Sequence, residues 1–461
     1  MMKKKIGTAY LIAGIFVALV AIVSCKKNNV NPPILTISNV TDTIPMDGGS
    51  VNLPAFTSNG AWSIDTAGFT WLNLSQTSGG SNASAITLTA PINKSGVRRT
   101  LILTVNSTNG QSRRITVLQD ARIFPTYNTS AIAPDATGMS STASQIAANI
   151  TMGWNFYNTL EAPGSETGSW GNPPITQQQV DLVKSTGINA IRLPINYDGH
   201  VINTATAQID PVWLARIKAI VQYCINDNMY VTVNIHYDIG GETGAQQDIT
   251  DARHRAYWEQ IATTLRNFDE HLMFASANEP AASTFDQTVT LMRYHQSFIN
   301  AVRSTGGKNT YRTLVIQAPS VSIDLANAYL DPTNAYKTPK LPTDPTPHKM
   351  MLEFHYYTPS QFCILSEDAS WGKELFFWGK DFHTTNPKFL DRNCGTWSEE
   401  HYADSILHTV KARFADKGIP LFIGEFMSNE HAQRLTGYPA DSLLCLRSEG
   451  HYDAYIAEKA K

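Results

Sequence analysis

Charge is scarce in this 461-residue chain: Asp, Glu, Lys and Arg make up 16% of it, with 36 basic against 39 acidic residues and no long run of either sign. A nucleic-acid groove needs a concentrated basic stripe, so nucleic acid is not an expected partner. Cysteine is scarcer still. There are five, with no C-x-x-C pair, which excludes a zinc ribbon or dithiol redox motif. Histidine and glutamate nowhere cluster with zinc-ligand spacing. What the chain has in quantity is apolar residues, 42%, among them 18 Tyr, 18 Phe and 9 Trp. That is a globular composition, and flat aromatic faces suit sugar rings, although most aromatic residues in any chain belong to its core.

The N-terminus reads as a targeting segment. Lys3, Lys4 and Lys5 precede an apolar or small stretch from Ile6 to Ser24, the layout of a secretory signal. An uncleaved membrane anchor is the alternative, since 19 such residues can span a bilayer. Ile22-Val23-Ser24-Cys25 resembles a bacterial lipobox, in which a small residue precedes a Cys that is acylated. The expectation is therefore a lipoprotein signal peptide over 1–24, lipidation at Cys25, and a polar tether over 25–33. The protein would be exported and held at the outer membrane by its lipid, with display on the cell surface left open. Cys224 and Cys445 sit in apolar helical contexts and read as small buried hydrophobes. Cys363 and Cys394 bracket one aromatic-rich stretch, and a disulfide between them is left open.

Over 34–121 short runs alternate with period 2, as in TLILTV and RITVLQ, between turn signals such as Asp47-Gly48-Gly49 and Asn109-Gly110. This is the pattern of a small all-β, immunoglobulin-like sandwich. Ala61-Trp62-Ser63-Ile64, Trp71-Leu72, Arg99 and Thr116-Val117-Leu118-Gln119 give the segment a resemblance to the BACON domain of polysaccharide-degrading proteins of Bacteroidetes. Trp62 and Trp71 are expected in its core rather than on a sugar platform. Residues 122–137 read as a linker. From 138 to 461 the period changes, and seven apolar runs alternate with amphipathic helical patterns. That alternation predicts βα units, a parallel sheet and a barrel.

In such a barrel the active site lies at the C-terminal strand ends. The polar residues closing the runs are Arg192, His236, Asn278, Glu279, His355, Tyr357 and Glu425. Each has a bland reading alone, as a helix cap, a turn or a core histidine. Together they include two glutamates on opposite sides of a barrel mouth, and two carboxyls about 5 Å apart are what retaining glycoside hydrolysis needs.

The chain from 138 onward resembles glycoside hydrolase family 5. The resemblance rests on Gly153-Trp154-Asn155-Phe156-Tyr157-Asn158-Thr159, Trp170-Gly171-Asn172-Pro173, Ile191-Arg192-Leu193-Pro194, Asn234-Ile235-His236, Asn278-Glu279-Pro280, Phe354-His355-Tyr356-Tyr357 and Ile423-Gly424-Glu425-Phe426, and is nearest to the endoglucanase and xyloglucanase branch. It implies a (β/α)8 TIM barrel with Glu425 as nucleophile and Glu279 as general acid and then base, and a reaction that requires no metal and no organic cofactor. Arg192 and Tyr357 would hold Glu425 ionised, and Asn278 would bond the sugar 2-hydroxyl. His236 and His355 would bind substrate or position Glu279, while Trp154 and Asn158 would support the cleft floor. The long aromatic stretch 358–398 reads either as a cleft wall or as a loop with its own small core. Asp238 and Glu242 read either as outer-subsite contacts or as solvated loop residues.

Two departures stand out. Tyr157 replaces the usual family glycine, and no eighth strand and helix follow the last helical pattern. The expectation is an incomplete barrel with two exposed strand edges and little activity in this form. The leading function is a monomeric retaining endo-hydrolase of β-1,4-glucan polysaccharide or oligosaccharide: cellulose-like, mixed-linkage glucan or xyloglucan. The alternatives are an endo-β-1,4-mannanase and a surface glycan-binding lipoprotein with an inactive barrel.

Overall fold

The computed structural model describes residues 32–461 except 39, 54, 83–84, 94–97, 129, 165, 167–169, 238–246 and 331–338. The signal, Cys25, Asp238 and Glu242 lie outside the described residues. The chain forms two compact units that divide between Ala121 and Arg122.

The first unit is all-β. A five-stranded sheet orders Thr41–Ile44, Ser112–Gln119, Arg99–Ser107, Trp62–Ile64 and Ser78–Gly79, and a three-stranded sheet orders Gly48–Leu53, Ile86–Pro91 and Asn73–Leu74. Alternation decides what is buried: Leu103, Val105, Ile115 and Val117 from one sheet meet Leu53, Ile86 and Leu88 from the other. Trp62 is 2% exposed and part of this core. Trp71 is only partly buried, with the Arg99 guanidinium 4.3 Å above its ring.

Among the described residues the second unit carries seven parallel strands in chain order: β1 (Gly153–Asn155), β2 (Ala190–Leu193), β3 (Tyr230–Asn234), β4 (Leu272–Ala275), β5 (Leu314–Gln317), β6 (Met350–Tyr356) and β7 (Leu421–Phe426). Each run marked out in the sequence supplies one. Helices flank them: α1 (Ala143–Asn149), α2 (Gln177–Ser185), α3 (Pro211–Asn226), α4 (Gln247–Leu265), α5 (Phe285–Ser304), α6 (Ile323–Tyr329), α7 (Glu400–Arg413) and α8 (Pro439–Ala460). The helix starts are written locally. Thr142, Thr176 and Thr284 each form a capping box with a Gln three residues on, and Asp210 caps α3 ahead of Pro211. The stretch 122–137, expected as a linker, is docked on this unit. The Arg122 guanidinium and the Tyr127 backbone N–H both bond the buried Glu259 carboxylate, at 2.8 and 2.6 Å.

The barrel is nearly closed, with one unsealed seam. Among the described residues no strand pairing joins β1 to β7, and both are partly exposed, whereas β2, β4 and β5 are buried throughout. Asn155 Nδ2 spans the seam, donating to the Gly424 carbonyl at 3.0 Å. A cavity of about 2320 Å³ runs along it from Ala147 and Phe422 to Glu425.

Candidate active site

The strand ends gather the expected residues. Arg192 lies in β2, His236 two residues past β3, Glu279 beyond β4, His355 within β6 and Glu425 in β7. A register shift in the β6–β7 pairing sets Phe354 opposite Ile423 but His355 opposite Glu425, so Gly424 is the extra residue of a bulge that aims the glutamate. A Cβ on Gly424 would stand 1.9 Å from Oε1 of Glu353, so any larger residue there must displace that carboxylate.

Three cationic or hydroxyl groups converge on Glu425. Arg192 Nη1 donates to its Oε1 at 2.7 Å, the Tyr357 hydroxyl donates to its Oε2 at 2.9 Å, and His355 Nδ1 lies 3.6 Å from Oε2. Arg192 Nη2 also donates to Asn278 Oδ1 at 2.7 Å, which leaves the Asn278 amide N–H groups for a ligand. His355 Nδ1 stands 2.7 Å from Glu279 Oε1. Glu279, its side chain 50% exposed, is the open member of the pair; Glu425 is 19% exposed.

These contacts fix charge. Burial alone would raise the Glu425 carboxyl, but Arg192 and His355 outweigh it and hold it at about 2. Burial opposes the His355 cation, yet the Glu279, Glu353 and Glu425 carboxylates raise it to about 9. His236, buried and facing Arg192, falls to about 3 and is neutral. Burial and the neighbouring Glu425 push the Tyr357 phenol up, so it stays a donor. The site therefore pairs a fixed carboxylate with an open carboxyl group whose partner imidazole holds a proton.

Glu279, His355 and Glu425 also bring ligand atoms within 4.8 Å of one another, close enough together to surround a metal ion. Those atoms are already engaged with each other, Arg192 and Tyr357.

Trp154 (45% exposed) and Asn158 line the cleft, as does Tyr157. Asn158 sits at φ 58°, its backbone N–H bonded to the buried Glu161 carboxylate. The aromatic stretch divides between its two readings. Phe376, Phe377 and Trp378 are buried, and Trp378 packs edge-on to Tyr452 at 5.0 Å, while Trp371 and Trp397 are about 60% exposed. Cys363 and Cys394 are buried free thiols, and so are Cys224 and Cys445.

Sequence reasoning missed four polar residues beneath the site. Asn234 donates to Asn278 at 3.5 Å, Asn155 accepts from Arg192 at 3.2 Å, and Gln317 donates to Glu353 at 2.6 Å. The fourth is Glu353 itself, with no exposed surface and its Oε1 3.1 Å from Arg192 Nε. That approach is an ion pair rather than a hydrogen bond, since the Nε–H has no acceptor in line. A lone acid inside the apolar run KMMLEFHYY was the available signal.

The model of the cellulase family, glycosyl hydrolase family 5, matches residues 152–448. A xyloglucan-specific endo-β-1,4-glucanase of Bacteroides ovatus is 28% identical over 456 residues, covering 95% of this chain and 86% of that protein. Endoglucanase A of Paenibacillus barcinonensis is 31% identical over 327 residues, 66% of this chain and 77% of its own. Among solved structures, a Bacteroides ovatus xyloglucanase with a bound XXXG heptasaccharide superposes with a TM-score of 0.65 at 26% identity, covering 93% of this chain and 91% of that one.

Proposed function

This chain belongs to glycosyl hydrolase family 5, and on that premise we propose that it cleaves the β-1,4-glucan backbone of plant polysaccharide, xyloglucan first among the candidates, internally and with retention of configuration. The observation that carries the reading is the carboxyl pair: ligand oxygens of Glu279 and Glu425 lie within 4.8 Å of each other. Retaining enzymes place their carboxyls about 5–5.5 Å apart, and inverting ones about 6.5–9.5 Å. Glu425, ionised and oriented by Arg192 and Tyr357, attacks the anomeric carbon. The glycosidic oxygen leaves with the proton shared by Glu279 and His355. Water then attacks the glycosyl-enzyme as Glu279 takes its proton, and Glu425 departs as a carboxylate. The Asn278 amide faces the sugar 2-hydroxyl through these steps. The choice of xyloglucan is supported by the Bacteroides ovatus relative, whose match extends over both units of this chain.

The same proposal includes the N-terminal reading. Residues 1–24 direct export, Cys25 carries the lipid, and the BACON-like segment 34–121 spaces a monomeric catalytic domain, 138–461, from the outer membrane.

A panel of xyloglucan, mixed-linkage glucan, carboxymethyl cellulose and glucomannan, assayed with the full chain and with Glu425→Ala, tests the reading. Fastest release of oligosaccharides from xyloglucan, with the product anomer retained by NMR, is expected. Preference for the mannan backbone, or binding without cleavage, would overturn it. Radiolabelled palmitate incorporation that disappears in Cys25→Ala tests the lipid.

A further inference from the structure

Beneath the site, Glu353 has no exposed surface and nothing in the two-glutamate mechanism uses it. Its Oε1 lies between two cationic side chains, 3.1 Å from Arg192 Nε and 3.3 Å from His355 Nε2. Its Oε2 accepts from Gln317 Nε2 at 2.6 Å, and the Gln317 Oε1 accepts from the Ala277 backbone N–H at 2.8 Å, two residues before Glu279. The missing Cβ of Gly424 leaves space for that carboxylate. One buried acid thus touches β2, β5, β6 and β7 at once. A buried carboxylate is strongly destabilising unless paired, so this arrangement needs both of its cations.

We propose that Glu353 is a positioning residue of the reaction, one that fixes the protonation and orientation of His355 and braces Arg192 against the nucleophile. With a carboxylate opposite Nε2, that nitrogen must carry hydrogen. Nδ1, 2.7 Å from Glu279 Oε1, is then the nitrogen that exchanges a proton with that carboxyl group. Among the described residues the charged and titratable groups facing His355 are Glu279, Glu353, Glu425, Arg192, His236 and Tyr357. Without Glu353, Arg192 would oppose a proton on the imidazole with less compensation, and His355 would lose that proton earlier as pH rises. Arg192 would also lose the ion pair that fixes its inner edge while its outer edge donates to Glu425 and Asn278.

The inference rests on the proposed glucanase activity for its kinetic arm only. In the full chain, Glu353→Gln is expected to lower kcat by about 10- to 100-fold with KM little changed. The basic limb of its kcat/KM profile is expected to move about one pH unit lower while the acidic limb stays in place. A folded Glu353→Gln protein that melts like the parent and keeps both limbs would overturn the proposal, because a purely structural role moves stability and not a limb. The second measurement needs no variant at Glu353 and no substrate. The ¹⁵N imidazole signals of the parent protein, assigned with His355→Asn, should show Nε2 protonated from pH 5 to 9 and Nδ1 as the titrating nitrogen. An unprotonated Nε2 in that range would overturn the proposal even if Glu353→Gln fails to fold. Inactivity of the parent protein on every glucan would refute the glucanase reading and leave the NMR result to judge Glu353.

Discussion

Glu279 and Glu425 face each other from two very different parts of the barrel. Glu279 follows β4, a strand buried throughout and paired on both sides, with β3 and β5. Glu425 belongs to β7, which among the described residues pairs with β6 alone and buries only Gly424 fully. On the closed wall the backbone ladder carries the chain as far as Ser276, Gln317 holds the next N–H, and His355 is the close side-chain partner of Glu279 among the described residues. At the seam, side chains do that work. Arg192 and Tyr357 hold the carboxylate, Asn155 holds the carbonyl before it, and Glu353 fills the space under the bulge. A strand paired on one side can carry a precisely placed carboxylate when charge-assisted hydrogen bonds replace the missing pairing.

The sharpest way to break this comparison is to remove each glutamate in turn. Glu425→Ala should lose on the order of 10⁴-fold or more in kcat on every substrate, because no other group can form the glycosyl-enzyme. Glu279→Ala should lose comparably on polysaccharide but keep first-step cleavage of an aryl glycoside whose leaving group needs no proton. Equal losses on both substrates would remove the distinction between nucleophile and acid. A pH series sharpens it further. A carboxyl held at about 2 contributes stability that is present above the ordinary carboxylate range and lost as pH falls toward 2. The stability gap between the parent and Glu425→Gln should therefore close by on the order of 2–3 kcal/mol between pH 5 and 2, as read by urea unfolding. A gap constant over that range would show that Glu425 is not held ionised by its neighbours.

Next in size is the bulge. Gly424→Ala places a Cβ 1.9 Å from Glu353 Oε1 and 2.8 Å from its Cδ. Overpacking of this kind costs about 1–3 kcal/mol, and the displaced carboxylate should lower kcat/KM roughly 10-fold or more. Unchanged activity and melting would mean that Glu353 and Gly424 do not form the tight contact described.

The closed wall was the more legible of the two regions. Strands buried on both faces read as continuous apolar runs, so all seven could be counted, and polar residues ending those runs, such as His236 and Asn278, stood out as site candidates. The same rule concealed Glu353. It lies in the middle of a run rather than at its end, where a single acid looks like an outward-facing strand position, and only the barrel's curvature shows that it points inward between Arg192 and His355. Asn155 escaped for a similar reason, because its bond crosses the seam to a residue 269 positions away. The stretch 358–398 was legible as ordered but not as divided. Composition counts aromatic residues without telling Trp378, which bonds the Ser398 carbonyl inside the core, from Trp371 on the surface.

The smallest effects belong to β1, the other edge of the seam, and they test whether the seam is held by side chains at all. Asn155 donates to Gly424 and accepts from Arg192, so Asn155→Ala removes two polar contacts that join β1 to the strand of Glu425 and to its counter-ion. Each such bond is worth about 1 kcal/mol net, and the expected result is a loss of about 1–2 kcal/mol with a several-fold drop in kcat. Gly153 lies two residues earlier on the same strand, and there a Cβ would meet nothing closer than the Ala190 carbonyl at 3.7 Å. Gly153→Ala should consequently stay within about 0.5 kcal/mol of the parent and keep its activity. If both substitutions prove neutral, β1 and β7 are positioned by their helices and the seam-spanning contact is incidental. If Gly153→Ala is as damaging as Asn155→Ala, the edge strand is sensitive along its length, and the side-chain account of how the nucleophile is held gives way to a backbone one.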